Sequence, residues 1–218
     1  MNSHRLTYLI FIALLATPAI TFASSMVTIP EGPFTMGQGK QPPYGPERRL
    51  FLKPFLIDQT EVTHEEFKEQ FPGHRFRKGA AQHPITKVTW YQAKQYCEKV
   101  GGRLPTEPEW EKAARGELGS VYPWGDHKPK KHPHPFYSGV VKKNVGSSKT
   151  DVSSYGIHDM AGSVWEWTDD SKGPLKIIRG GLWNHHLDFE YSKAFEKATI
   201  PPGERLSFLG FRCVRSAE

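Results

Sequence analysis

Three residues toward the C-terminal end have side chains of the types that bind transition metals: His185, His186 and Glu190. Imidazole and carboxylate groups are reasonable ligands for iron, copper or zinc. With His158 as a further candidate, they would form the site of a metal-dependent oxidase. Adjacent side chains of an extended segment point in different directions, however, and a surface pair is the commoner explanation of two neighbouring histidines. We therefore keep a transition-metal site here as one of two alternatives, with His185 and Glu190 as its candidate catalytic residues.

The first residues of the chain are typical of a secretory signal peptide. Arg5 precedes an apolar run over residues 6–16, and Thr21-Phe-Ala23 places small residues where a signal peptidase cleaves. The apolar run is too short to span a membrane comfortably. We expect a signal peptide over 1–23 and one mature domain over 24–218, periplasmic or secreted and without a transmembrane helix. An uncleaved anchor is the alternative.

The chain has only two cysteines, Cys97 and Cys213. Disulfides persist in the oxidising compartments to which exported proteins are sent. We therefore expect the two cysteines to pair, with two buried free thiols as the alternative.

The composition is that of an ordinary globular protein with a basic balance. Of its 218 residues, 37% are hydrophobic and 24% are charged, and the formal net charge is +6. The densest basic stretch is a solvated loop by our interpretation, and it comprises Lys128, Lys130, Lys131, His132, His134, Lys142 and Lys143. We predict no nucleic-acid binding, but such a loop would steer the chain toward an acidic protein partner.

Three helix starts share one signature, in which a threonine precedes a glutamate or glutamine by three residues. The pairs are Thr63 with Glu66, Thr89 with Gln92, and Thr106 with Glu109. In each pair, both side chains can cap backbone N–H groups at the start of a helix. Apolar residues at three- and four-residue spacing in the second helix place Cys97 on its core face. That helix is expected to stop at Gly101-Gly102.

Short strands are expected on either side of these helices. Residues 26–37 predict a strand, a turn and another strand, and residues 51–57 predict one edge or bent strand because Pro54 interrupts them. Apolar segments return at 164–167, 177–183 and 208–214, whereas much of 116–152 is expected to be ordered coil. Without repeats or β-α-β alternation, this pattern predicts a mixed α+β domain.

Several motifs occur in the order found in one family. They are Gly32-Pro-Phe-Thr-Met-Gly37, Glu61-Val-Thr63, His83-Pro-Ile-Thr-Lys-Val-Thr-Trp90, Gly102-Arg-Leu-Pro-Thr-Glu-Pro-Glu-Trp110, Tyr122-Pro-Trp-Gly125, Tyr155-Gly-Ile-His-Asp-Met-Ala-Gly-Ser-Val-Trp-Glu-Trp167, Arg179-Gly-Gly181 and Gly210-Phe-Arg-Cys213. Together they resemble the formylglycine-generating enzyme, or sulfatase-modifying factor, family. The resemblance covers nearly all of the mature chain.

The resemblance implies a compact, irregular fold related to C-type lectins, with few helices, small strands and much ordered coil. It also implies a structural disulfide at the positions of Cys97 and Cys213. Six tryptophans are consistent with loops packed around large aromatic side chains. We expect four of them to belong to the core: Trp90, Trp110, Trp165 and Trp167.

A calcium site is also implied by the resemblance, at Asp159, Gly162, Val164 and Glu166. Calcium takes hard oxygen ligands, which the two carboxylates and two backbone carbonyls of such a loop would supply. The alternative is a tight turn whose carboxylates cap backbone donors.

The catalytic segment departs from the family pattern. Active members have a serine and then two cysteines that bind copper(I) and exchange with the substrate cysteine, whereas this chain has Leu182, His185 and Glu190 at those positions. Thiolates suit both the soft ion and the redox step. Copper-dependent formylglycine formation is therefore not expected. We predict an exported accessory, maturation or binding module whose partner is another exported protein or protein complex. The alternative is a metal-dependent oxidase that uses the His/Glu site around His185.

Overall fold

The computed structural model describes residues 25–38, 46–128, 130, 133–134, 143–181 and 192–217. Twelve elements are defined in these ranges. In chain order they are β1 (Met26–Ile29), β2 (Gly32–Met36), β3 (Arg48–Leu52), β4 (Phe55–Asp58), α1 (His64–Gln70), α2 (Trp90–Lys99), α3 (Glu107–Arg115), β5 (Trp165–Lys172), β6 (Leu175–Arg179), β7 (Lys197–Ile200), β8 (Leu209–Gly210) and β9 (Val214–Ser216). The predicted α+β class, with few helices and small strands, is confirmed. Each described helix is too short to cross a bilayer.

All three predicted helix starts are confirmed. Each threonine side chain accepts a hydrogen bond from the backbone of the residue three positions on, and that residue's side chain accepts one from the threonine backbone. These capping boxes satisfy N–H groups that the first helical turn leaves without partners. The signal is readable from sequence because the whole interaction lies within four residues.

The strands form three small sheets, with the order β1-β4-β9, β2-β3 and β7-β6-β5-β8. All pairs are antiparallel except β5 with β8, which is parallel. The predicted single strand over 51–57 is wrong: it divides at Lys53-Pro54 into β3 and β4, which belong to different sheets. Strand β4 lies at the centre of its sheet, between β1 and β9, and not at an edge. Pro54 does not prevent this, because it lies between the two strands and takes no position in either ladder.

The described residues form two apolar clusters, and a disulfide joins two segments within one of them. The Cys97–Cys213 bond links α2 to the segment before β9, and both residues are buried. It closes a loop with a sequence separation of 116 residues, which contributes roughly 4 to 5 kcal/mol in the chain-entropy model. The predicted pairing is therefore confirmed. Trp90, Trp110, Trp165 and Trp167 are buried, as predicted.

Candidate functional site

A tight fold in the segment before β5 brings two aspartates together. The Asp159 N–H donates to the Asp151 carbonyl at 3.1 Å, and the Ser153 N–H donates to the Ile157 carbonyl at 2.8 Å. Asp159 has a φ of 62°, in the left-handed region that aspartate tolerates better than most residues. The reversal buries both aspartate side chains on the inside of the loop.

His134 completes a cluster of metal-ligating atoms with these two residues. Its Nε2 lies 2.8 Å from Asp151 Oδ2 and 3.7 Å from Asp159 Oδ1, and one ligand atom from each residue lies within 4.8 Å of the others. The His134 side chain is only 12% exposed. The expectation that His134 belongs to a solvated basic loop is therefore wrong, whereas Lys128, Lys130 and Lys143 are exposed as expected. Lys131, His132 and Lys142 lie outside the described residues.

Glu61 is the least satisfied carboxylate of this region. It is fully buried, and neither of its oxygens has a hydrogen-bond partner within the described part of the chain. Burial raises the pKa of Glu61 well above its usual value, and the charges of Asp159 and Glu166 add to the rise. Arg212 opposes it, as does the nearby Ser163 hydroxyl, although that hydroxyl does not reach hydrogen-bonding geometry.

Glu166 has a firm partner in Arg212. The guanidinium donates from Nε to Oε2 at 2.7 Å and from Nη2 to Oε1 at 2.8 Å, and the Trp110 indole donates to Oε2 at 2.8 Å. Both charged side chains are fully buried. Although burial opposes it, the Glu166 carboxylate raises the pKa of Arg212. Such a bidentate pair holds the carboxylate in one orientation.

We call Glu61, Asp151, Asp159 and Glu166 the acidic centre. All four are buried, and within the described residues Asp151 and Asp159 each retain an Oδ1 without a hydrogen bond. Burial raises the pKa of Asp159, and the Asp151 charge adds to the rise, whereas His134 and Arg212 lower it. Unpaired buried carboxylates are costly, so the arrangement suits a bound cation.

The four predicted calcium ligands are only partly brought together. Arg212 hydrogen-bonds to Glu166, and its charge lowers the pKa of Asp159. The Glu166 carboxylate already accepts three hydrogen bonds. The Val164 carbonyl lies against Gly180, since a Cβ added to that glycine would be only 3.0 Å from the carbonyl oxygen. Gly162 donates its N–H to the Gly180 carbonyl at 3.1 Å. Asp159 therefore offers a calcium ion an oxygen without a hydrogen bond, whereas both oxygens of Glu166 already accept hydrogen bonds. The calcium site stays a prediction.

The candidate catalytic segment begins just beyond β6. Leu182, His185, His186 and Glu190 lie outside the described residues, so their metal site stays a prediction. His158 lies within the described residues, and its backbone N–H donates to the Gln59 carbonyl at 2.9 Å. Its carbonyl accepts from Arg212.

Arg179, the last residue of β6, belongs to a second set of buried charges that we call the arginine network: Glu111, Arg115 and Arg179. Glu111 Oε2 accepts from Arg179, and Oε1 accepts from Arg115 at 2.5 Å and from the Gly37 N–H at 2.6 Å. Burial lowers the pKa of Arg115 to about 10. This network anchors the strand that leads into the candidate catalytic segment.

Three residues of the acidic centre and its surroundings were missed at the level of sequence. Glu61 lies in a recognised motif, Glu61-Val-Thr63, which was a signal for the site that the prediction did not use. His134 and Asp151 lie in a stretch without regular structure or periodicity, and their meeting depends on the fold of the loop.

The α+β fold with its buried disulfide agrees with what a comparison with protein families shows. Residues 14–217 match the family described as the sulfatase-modifying factor enzyme 1-like domain, and the chain belongs to this family. It is 28% identical to "Inactive C-alpha-formylglycine-generating enzyme 2" of Bos taurus, with 88% of each chain covered. It is 27% identical to "Formylglycine-generating enzyme" of Mus musculus, with 87% of this chain and 74% of that protein covered.

The fold is also that of a solved structure. "Treponema denticola variable protein 1" superposes with a TM-score of 0.76 at 23% sequence identity, covering 92% of this chain and 100% of that one. Similarity at this level of identity concerns the fold alone.

Proposed function

We propose that this chain is an exported, non-catalytic member of the family that acts as an accessory, maturation or binding module for another exported protein. The observation that carries the proposal is the state of its cysteines. Both are buried and joined to each other, and the sequence contains no third cysteine. The chain therefore has no thiolate for copper(I) capture or for exchange with a substrate cysteine.

The described surface offers one groove suited to an acidic partner. It has a volume of about 410 Å³, and four cationic residues line it: Arg75, Arg77, Lys87 and Arg205. Three histidines also line it, and no carboxylate is among its lining residues. Burial, together with nearby imidazoles and Arg77, lowers the pKa of His64 to about 4, so the positive charge at neutral pH comes from the arginines and the lysine.

The backbone of this groove supports a binding role. Lys87 has a φ of 59°, an unusual conformation for a residue other than glycine, and it is held by a hydrogen bond from its N–H to the Leu206 carbonyl at 2.9 Å. Arg205 donates to the Lys87 carbonyl at 3.3 Å. Backbone strain of this kind clusters at functional sites. Complementary charge would speed the encounter with an acidic segment and select it.

The catalytic half of the proposal is tested with a peptide assay. The copper-loaded mature chain is incubated under oxygen with a sulfatase-type cysteine peptide, with and without prior reduction, and aldehyde is detected by hydrazide capture and mass spectrometry. We expect no turnover above a metal-only control. Turnover that is lost in the Cys97→Ala and Cys213→Ala variants would assign catalysis to these thiols and overturn the proposal.

The binding half is tested by charge reversal in the groove. Cross-linked partners are recovered from the exported fraction of the source cells with the wild-type chain, with the Arg77→Glu/Arg205→Glu variant, and with Lys149→Glu as an exposed control outside the groove. We expect an acidic partner to be recovered with the wild type and the control and lost with the groove variant. Equal recovery by all three would place the interaction elsewhere and reject this groove as the binding surface.

A further inference from the structure

The acidic centre carries more buried negative charge than its protein partners neutralise. Arg212 pairs with Glu166, and His134, when protonated, offsets one further carboxylate. The centre therefore has two more carboxylates than cationic side chains, and all four carboxylates are at most 2% exposed. Charge buried in this way needs a partner or a bound metal ion.

Both aspartates are oriented as metal ligands usually are. Asp151 Oδ2 accepts from the Ala161 N–H at 2.8 Å, and Asp159 Oδ2 accepts from the Gly146 N–H. In each residue Oδ1 is buried and makes no hydrogen bond with any described group. Backbone donors to one oxygen hold a carboxylate in place and leave the other oxygen for an ion. Neither oxygen of the buried Glu61 carboxylate has a hydrogen-bond partner among the described residues, and the Asp159 charge helps to raise the pKa of Glu61.

We infer that His134, Asp151 and Asp159 bind a divalent transition metal ion of the zinc class. The His134 Nε2 atom lies 3.7 Å from the unpartnered Asp159 Oδ1, near the value of about 3.3 Å expected between two ligands of a tetrahedral zinc ion. Its 2.8 Å contact with Asp151 Oδ2 is a hydrogen bond, which metal binding would replace. A divalent ion would also favour the ionised form of the carboxylates that have no cationic partner.

The ligand types select against calcium. Calcium takes six to eight oxygen ligands, whereas this set includes an imidazole nitrogen, which suits zinc, manganese or iron(II). Glu166, the carboxylate on which the predicted calcium loop depends, is occupied by Arg212 and Trp110. The inference does not rest on the proposed function, because the ion would hold together the loop between residues 143 and 166 whatever the partner of the chain.

The test uses the oxidised mature chain, freed of metal with a chelator and then titrated with zinc chloride or calcium chloride. We expect one zinc ion per chain by elemental mass spectrometry. At zinc concentrations about a hundredfold above Kd, the melting temperature should rise by about 5 to 10 °C. Calcium should not produce this rise.

Matched histidine variants locate the ion. His134→Gln and, separately, Asp151→Asn should weaken zinc binding at least about 100-fold, since even outer-shell changes cost 10- to 100-fold. His74→Gln is the control, because His74 Nε2 lies 2.9 Å from His64 Nδ1 in a close pair of imidazoles outside the acidic centre. It should leave the zinc effect at the acidic centre unchanged.

X-ray absorption of the zinc-loaded wild type gives a readout that needs no variant, and it should show imidazole nitrogen together with carboxylate oxygen ligands. The inference is overturned if zinc neither binds stoichiometrically nor raises the melting temperature. It is equally overturned if His74→Gln abolishes the zinc effect and His134→Gln retains it. Stabilisation by calcium that persists in His134→Gln would instead place an oxygen-liganded ion on the Asp159–Glu166 loop.

Discussion

Two buried sets of charge meet at Trp110, and they are balanced in different ways. The indole N–H donates to Glu166 of the acidic centre, while the ring lies 5.7 Å from the Arg179 guanidinium of the arginine network. In the arginine network, five backbone carbonyls accept from Arg115 and Arg179, and Glu111 bridges the two guanidiniums. In the acidic centre, three carboxylates have oxygens without hydrogen-bond partners among the described residues, whereas in the arginine network only Arg179 Nε lacks such a partner there.

The difference separates a structural network from a binding site. A buried charge that is paired with protein groups stabilises the conformation in which the pair forms. Removing one partner leaves the other charge buried without compensation. A centre that leaves oxygens unpaired has a stability that depends on ions and on pH. Three substitutions sharpen this comparison.

The largest effect is expected for Glu111→Gln in the arginine network. It removes the carboxylate that bridges two buried guanidiniums and leaves Arg179 only the longer 4.0 Å ion pair with Glu107, so the free energy of unfolding should fall by about 3 to 5 kcal/mol. Urea denaturation measures it, with Glu117→Gln as an exposed control. Because the network needs no ion, the loss should be the same with and without chelator. A loss below about 1 kcal/mol would show that the pairing is energetically minor.

Trp110→Phe should have an intermediate effect, since Trp110 contacts both sets. The change removes the donor to Glu166 and part of the ring beside Arg179, for an expected loss of about 1 to 3 kcal/mol. Thermal or urea unfolding gives the value. The matched control is Trp124→Phe, whose indole donates to the His127 carbonyl at an exposed site. Equal losses for the two variants would contradict a special role for Trp110.

A third effect appears only as the pH is changed, and it is due to Asp58, beside the acidic centre. Burial raises the pKa of Asp58 to about 7, despite the hydrogen bond that its Oδ2 accepts from the Cys213 N–H. Between about pH 4 and 7 the folded chain therefore keeps a proton that the unfolded chain has released. Stability contributed by this group falls as the pH rises through that window.

Asp58→Asn should remove the decrease in stability that Asp58 causes, which is about 3 kcal/mol between pH 4.5 and 7 at roughly 1.4 kcal/mol per pH unit. The measurement compares urea midpoints of the wild type and the variant across the window, with the exposed Asp126→Asn as control. Parallel pH profiles for wild type and Asp58→Asn would show that Asp58 does not titrate there.

Local features of the fold could be predicted because their causes lie close together in the sequence. The capping boxes of α1, α2 and α3 each involve residues three positions apart, and a side chain and backbone at that spacing meet whenever a helix forms. The interruption at Pro54 was also visible, since proline cannot donate to a ladder. The division into two strands of different sheets was not visible, because strand partners are chosen by the whole chain.

The sequence by itself determined the family, the helix starts, the buried tryptophans and the pairing of its only two cysteines. It also showed that a catalytic cysteine pair is missing. Only the tertiary structure decided that His134 and Asp151 face Asp159 and that Arg212 occupies Glu166. These contacts join residues from separate loops and strands, and the side chains must be buried together before their charges interact strongly enough to define a site.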